Sequence, residues 1–265
     1  MTRNTPSHWV TGISRITDED LLIRGYPMAD LVGRKSFSQI AYLLIRGELP
    51  TAGQARMFDF LLTSVLDYGL EKSGTVAARM VASVNPQMPA SLSAGVAAAG
   101  EFALSPEPTG DFILKYYGAW RESGRALEPF VADLVAEMRA RKERVPGFGH
   151  QVFRGVDPRA QTLKRIAQEC GIWGDVNLFH EALHAEFKAA ANKPDLVLND
   201  VGMLAGIMVQ MGFTPKEMAG IALLSTFPGL IAHVSEELRS GVRCRIVARE
   251  AVDYVCERRE LPDDD

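Results

Sequence analysis

Val145-Pro146-Gly147-Phe148-Gly149-His150-Gln151-Val152-Phe153-Arg154-Gly155-Val156-Asp157-Pro158-Arg159 is the stretch from which the rest of the chain is read. Two glycines and a proline lead into one histidine, and two arginines follow it. Gly147 and Gly149 permit positive φ or close approach of backbone to a ligand, Pro146 stiffens the approach, and His150 can move a proton near neutral pH. Arg154 and Arg159 carry permanently charged planar forks suited to phosphate and carboxylate. A solvated polar loop, the plain alternative, has little use for so many special residues in so short a span.

Outward from this stretch the pattern is helical almost throughout. Ser36 is placed to cap a run in which Phe37, Ile40, Ala41, Leu43 and Leu44 recur at helical spacing as far as Gly47. Thr51 is placed to cap a second run, with Met57, Phe58, Leu61, Leu62, Val65 and Leu66 on its apolar face. Helices over 75–84 and 90–102 are rich in Ala, Gly and Ser, which lets helix axes approach closely. Leu104-Ser105-Pro106-Glu107-Pro108-Thr109-Gly110 reads as a firm helix break and the best domain boundary.

Helices are expected over 111–122 and 127–142 ahead of the quoted loop, and over 160–170 and 176–191 after it. The run 202–212 is apolar almost throughout, as a helix buried on several sides is. Helices over 215–224 and 228–238 complete the set, and alternation fit for a strand is confined to a weak case at 243–247. The fold class expected is all-α.

Composition narrows the function. With 265 residues the chain can bury a good core, and 47% apolar with 23% charged residues is ordinary for a soluble protein. A net charge of −4 offers no footprint for nucleic acid. Three scattered cysteines make no disulfide framework or metal knuckle. No apolar run reads as a membrane span and the N-terminus lacks a signal-peptide core, so a cytoplasmic protein is expected, with no membrane partner. His180-Glu181-Ala182-Leu183-His184 fits the H-E-x-x-H spacing of zinc hydrolases, but no third ligand follows convincingly, a polar helix face explains it better, and no metal is expected.

The span Pro146 to Arg159 resembles the P-G-[FYI]-G-H-x-V-x-[RK]-x-x-D-P-R signature of the citrate synthase superfamily. The blocks 23–31 and 36–51, Ile23-Arg24-Gly25-Tyr26-Pro27 onward and Ser36-Phe37-Ser38-Gln39 through Pro50-Thr51, are similar to that family's opening, and 199–237 to its C-terminal region. The resemblance implies a large helical domain from residues 1–104 and 201–265, a smaller helical domain inserted over 105–200, an active site in the cleft, and a homodimer. It implies chemistry on the carbon–carbon bond beside a coenzyme A thioester, the thioester being substrate and a small oxoacid its partner. His150 would then hydrogen-bond the keto or hydroxyl oxygen, Arg159 clamp a carboxylate, Arg154 meet the phosphates, and the backbone of Pro146, Gly147, Phe148 and Gly149 line the nucleotide.

Departures from the family pattern narrow the branch. The family's catalytic carboxylate has its counterpart in Asp200 one residue early, and Asp200 is equally suited to cap the apolar helix that follows. The second catalytic histidine has no counterpart in Gly100-Glu101-Phe102-Ala103-Leu104-Ser105, a substrate-binding histidine is replaced by Tyr68, and a carboxylate-clamping arginine by Thr226. Arg243 and Arg245 could make up that charge across a dimer interface, though solvated charge is the simpler expectation. The pattern is closest to the short citryl-CoA lyase-like branch, which implies cleavage of a hydroxyacyl-CoA such as citryl-CoA into acetyl-CoA and oxaloacetate. Condensation of the citrate or methylcitrate synthase type, and a degenerate coenzyme A or organic-acid binding protein, are the alternatives.

Overall fold

The computed structural model describes residues 9–67, 69–100, 103–150 and 152–261. The all-α expectation holds: among the described residues eleven α-helices accompany one small sheet. The sheet lies at the front, where β1 (Ser14–Ile16), β2 (Leu21–Ile23) and β3 (Tyr26–Pro27) pair antiparallel in that order, with Ser14 opposite Ile23 and Leu22 opposite Pro27. Strands of two or three residues are too brief for alternation to be read. The strand foreseen at 243–247 does not form; the backbone N–H groups of Cys244 and Arg245 donate instead to the carbonyl and hydroxyl of Ser83.

The helices are α1 (Met28–Leu31), α2 (Phe37–Arg46), α3 (Ala52–Thr63), α4 (Ser73–Val84), α5 (Met88–Ala97), α6 (Glu107–Ser123), α7 (Leu127–Ala140), α8 (Pro158–Glu169), α9 (Asp175–Ala190), α10 (Asp200–Gln210) and α11 (Pro215–Ser240). Ser36 and Thr51 cap α2 and α3 as foreseen, each in a reciprocal capping box with Gln39 and Gln54, and Gly47 ends α2 in the left-handed region at φ +86°.

The expected break at 104–110 is narrower than the sequence implies. Leu104 does take φ +64°, but α6 already starts at Glu107 and buries Thr109 and Gly110. Pro108 sits in the first turn, where its missing N–H would have no intrahelical partner in any case. Likewise Pro228 does not divide two helices but lies inside α11, which continues for 26 residues. That continuity makes α11 long and apolar enough to cross a membrane by length and composition, which the two shorter runs did not show. Met218, Ile221, Ala222, Leu230 and Val234 are buried along it and account for much of its apolar surface.

By its internal contacts the chain divides into two compact units, one running to Asp67 and resuming over Ala99–Pro228, the other lying between them in sequence and continuing from Gly229. In the first unit Tyr42, Phe58 and Phe213 form an aromatic triangle with centroids 5.6 to 5.7 Å apart. Ile113 of α6, Phe179 and Leu183 of α9, and Met203 and Ile207 of α10 are almost wholly buried. Each such side chain contributes about 1.5–3 kcal/mol, so this core holds rigid the helices that carry the site.

The second unit uses the small faces foreseen for α4 and α5. A Cβ on Gly74 would lie 2.9 Å from the Gly95 carbonyl, and Ala78, Ala82, Leu230 and Val234 make the core beside them. Its buried Glu237 is held by Arg79 at 2.6 Å and by Arg245 at 2.5 Å. Arg245 thus makes an ion pair within the chain while remaining partly solvated.

Candidate active site

Two helix starts and one loop meet at the site. Asp157 caps α8, its carboxylate accepting from the Arg159 backbone N–H at 3.0 Å. Asn199 caps α10 through a 2.9 Å bond from the Gly202 N–H. The choice left open at Asp200 is thereby decided in one respect: Asn199 takes the cap, and the Asp200 side chain turns elsewhere. Asn199 also ties α10 to the loop, its Nδ2 donating to the Gly149 carbonyl at 2.7 Å and its backbone N–H to that of Gly147 at 3.0 Å. Gly149 N–H donates in turn to Val197. Gly147, at φ +82°, lies so close to Gly202 that a Cβ on it would be 2.7 Å from the Gly202 Cα.

Within this frame His150, Asp157 and Asp200 bring ligand-type atoms within 4.8 Å of one another. The cation among them is the Arg159 guanidinium. Its Nε and Nη2 edge donates to Asp157 at 3.1 and 2.9 Å, its Nη1 pairs with Asp200 at 2.8 Å, and Nη2 also lies 3.0 Å from His150 Nε2. Asp157 accepts a further bond from the Asp200 backbone N–H at 3.1 Å, so one buried carboxylate positions both the arginine and the start of α10.

The His150 ring is oriented by the chain itself. Val152 and Phe153 each donate a backbone N–H to Nδ1 at 3.0 Å, which leaves the proton of the neutral ring on Nε2. Nε2 and Arg159 Nη2 lie side by side, 3.0 Å apart, as two nitrogens that can serve a substrate oxygen. Phe153 packs against both, 4.8 Å from the imidazole and 5.2 Å below the guanidinium.

The electrostatics separate the two carboxylates. Burial pushes the Asp157 carboxyl upward, but hydrogen bonds from the Arg159 side chain and backbone outweigh it and hold that group below the usual carboxylate range. For Asp200 burial wins: its pKa is raised, with Arg159 pulling down and the Asp157 charge pushing up. A half-desolvated carboxylate of raised pKa beside a donor pair suits general-base chemistry.

A family model described as "Citrate synthase, C-terminal domain" matches residues 3–64 and 52–247. The chain belongs to this family. A citryl-CoA lyase from Hydrogenobacter thermophilus has a TM-score of 0.86 and 34% identity, covering 96% of this chain and 97% of that one. A 2-methylcitrate synthase from Shewanella oneidensis is 26% identical over 80% of this chain and 53% of its own length. The chain spans about half the length of several of the curated relatives it matches. An ATP citrate lyase from Methanothrix soehngenii, solved with citrate and coenzyme A, shares the fold at TM-score 0.79 and 23% identity over 96% of this chain and 42% of that one.

In this citrate synthase-family chain, His150, Asp200 and Arg159 of the foreseen site residues meet in one place. Arg154 is exposed and braces the loop, its Nη1 donating to the carbonyls of His150 and Phe153 at 2.7 and 3.0 Å. Phe148 turns away from the cluster and packs on His180 and His184. Thr226 is buried in α11 with its hydroxyl donating to the Leu223 carbonyl, and Tyr68 lies outside the described residues.

Of the H-E-x-x-H residues, His180 is buried, against the polar helix face expected, while Glu181 and His184 are partly exposed. His180 is buried and stacked on Phe148, His184 Nε2 lies 3.0 Å from the Leu196 carbonyl, and Glu181 pairs with Lys164 at 2.5 Å. Sequence reasoning missed Asp157, Asn199 and Phe153 as positioning groups. The signals were there, in an aspartate directly before a helix-starting proline and an asparagine directly before an apolar helix.

Proposed function

We propose that this citrate synthase-like protein is a carbon–carbon lyase acting on a hydroxyacyl-CoA such as citryl-CoA, giving acetyl-CoA and an oxoacid such as oxaloacetate. The observation that carries the proposal is the meeting of His150 Nε2–H, the Arg159 guanidinium and the Asp200 carboxylate within one cluster. The citryl-CoA lyase that matches over nearly the full length of both chains supports it.

In this scheme Asp200 takes the hydroxyl proton, the carbon–carbon bond breaks, and its electron pair passes to the thioester fragment as an enolate, which is then protonated. His150 donates to the oxygen that becomes the keto group, and Arg159 holds a neighbouring carboxylate. Arg154 and the backbone from Pro146 to Gly149 face the coenzyme A portion.

We propose also that the working form is a cytoplasmic homodimer. Exposed Ile246, Tyr254 and Val255, at 79%, 82% and 91% exposure, form an apolar C-terminal segment fit for burial against a second copy. Sedimentation at micromolar protein tests this.

The activity is tested by mass spectrometry of purified protein incubated with citryl-CoA. Formation of acetyl-CoA, lost in His150→Ala, supports the lyase. Free thiol released from acetyl-CoA plus oxaloacetate, with no cleavage of citryl-CoA, assigns condensation instead, and calorimetric binding of coenzyme A without turnover assigns a binding protein.

A further inference from the structure

Resting on the reading of Asp200 as base and Arg159 as carboxylate clamp, we propose that Arg159 is a latch: it holds Asp200 in an ion pair until a substrate carboxylate takes that place, so the base is released only when the acid portion has arrived.

The two edges of the guanidinium differ in what holds them. The Nε and Nη2 edge is fixed on Asp157, which is 1% exposed and spends its oxygens on the Arg159 backbone N–H, the Arg159 side chain and the Asp200 N–H. A carboxylate so buried and so fully engaged does not exchange. The Nη1 and Nη2 edge turns away from the covered Asp157, and the Arg159 side chain as a whole is 44% exposed. Nη1 meets Asp200 there at 2.8 Å, and Nη2 lies 3.0 Å from Nε2 of His150.

An incoming carboxylate improves on this arrangement at both nitrogens. It supplies a fork-to-fork pair to Nη1 and Nη2. The hydroxyl oxygen beside that carboxylate is then within reach of His150 Nε2, in keeping with its role toward the oxygen that becomes the keto group. Asp200 then loses its cationic partner while keeping its burial and its neighbour Asp157. The charged groups facing it are Asp157 and Arg159 of α8, with the His150 ring from the loop. Arg159 favours its ionised form more than His150 does, so drawing Arg159 away makes Asp200 a stronger base at the moment it is needed. Asp157 is the positioning residue in this device, since with the inner edge pinned the exchange requires no movement of the arginine.

The test is a crystal structure of the wild-type protein with citrate and coenzyme A, together with titration of the Asp200 carboxyl by NMR, its signal assigned through Asp200→Asn, with and without saturating citrate. The latch predicts that Arg159 keeps both bonds to Asp157, that citrate occupies its outer edge, that Asp200 lies beyond hydrogen-bond reach of Nη1, and that the Asp200 midpoint rises by about one unit or more. In Arg159→Gln the midpoint is already high, and citrate moves it less than in wild type. Citrate bound against His150 with the Arg159–Asp200 pair intact overturns the latch and leaves the lyase reading standing. Citrate found away from His150, or no calorimetric signal at millimolar citrate, overturns both.

Discussion

Gly147 and Gly202 touch backbone to backbone: a Cβ on Gly202 would lie 2.7 Å from the Gly147 carbonyl oxygen and 2.7 Å from Leu198 Cδ1. This approach lets the loop before His150 lie against the first turn of α10, and it fixes the separation of His150 from Asp200. Gly202→Ala therefore loses about 1–3 kcal/mol in urea denaturation. Gly220→Ala in α11, where a Cβ meets nothing within 4 Å, gains up to about 1 kcal/mol from helix propensity.

Asn199 joins the same elements through its side chain, capping α10 with Oδ1 and holding the Gly149 carbonyl with Nδ2. Asn199→Asp keeps the cap and loses the donor, whereas Asn199→Ala loses both. The expected order of stability is wild type, then Asp, then Ala, with the Ala variant about 0.5–2 kcal/mol down from the cap alone. Thermal denaturation of the three proteins checks the order.

His180 gives the fold an acid limit. Burial, then the neighbouring His184, push its pKa down from 6.5 to about 3. Between those values the unfolded chain binds a proton that the folded chain refuses. Stability is therefore full above the unfolded value and falls as the pH drops, by up to about 1.4 kcal/mol per unit. His180→Leu flattens that part of the urea-midpoint profile between pH 4 and 7. At pH 7 it costs little, because Nε2 has no hydrogen-bond partner among the described residues.

Glu237 is the centre of the second unit's ion-pair network, its side chain fully covered between Arg79 and Arg245. Hydrogen bonds from Arg245 first, then Arg79, hold its pKa below the usual carboxylate range against the opposing effect of burial. Glu237→Ala leaves Arg79 with Glu236 and Arg245 partly solvated, and is expected to cost about 1–3 kcal/mol. Differential scanning calorimetry at pH 7 measures it.

The helical fold was legible wherever a cap and an apolar period coincided, as at Ser36 with Phe37–Arg46 and Thr51 with Ala52–Thr63. It was misread where proline was taken as a stop. Pro108 occupies a first-turn position and Pro228 sits within a long helix, and only the surrounding contacts distinguish these from true breaks. Of the site, His150, Arg159 and Asp200 could be named from the loop signature and the family pattern. The role of Asp157 could not, because a carboxylate bonded to both an arginine and another helix's N–H depends on α8 and α10 starting side by side. The competition between Asn199 and Asp200 for the cap is likewise a matter of φ/ψ, which one residue of register decides.

The most direct test of the account is the rate of acetyl-CoA formation from citryl-CoA by Asp200→Asn relative to wild type, a change that keeps the shape of the side chain and removes the base. The account predicts active wild-type protein and a fall in kcat of about 10²–10⁴-fold in the variant. A variant within threefold of an active wild type would contradict it.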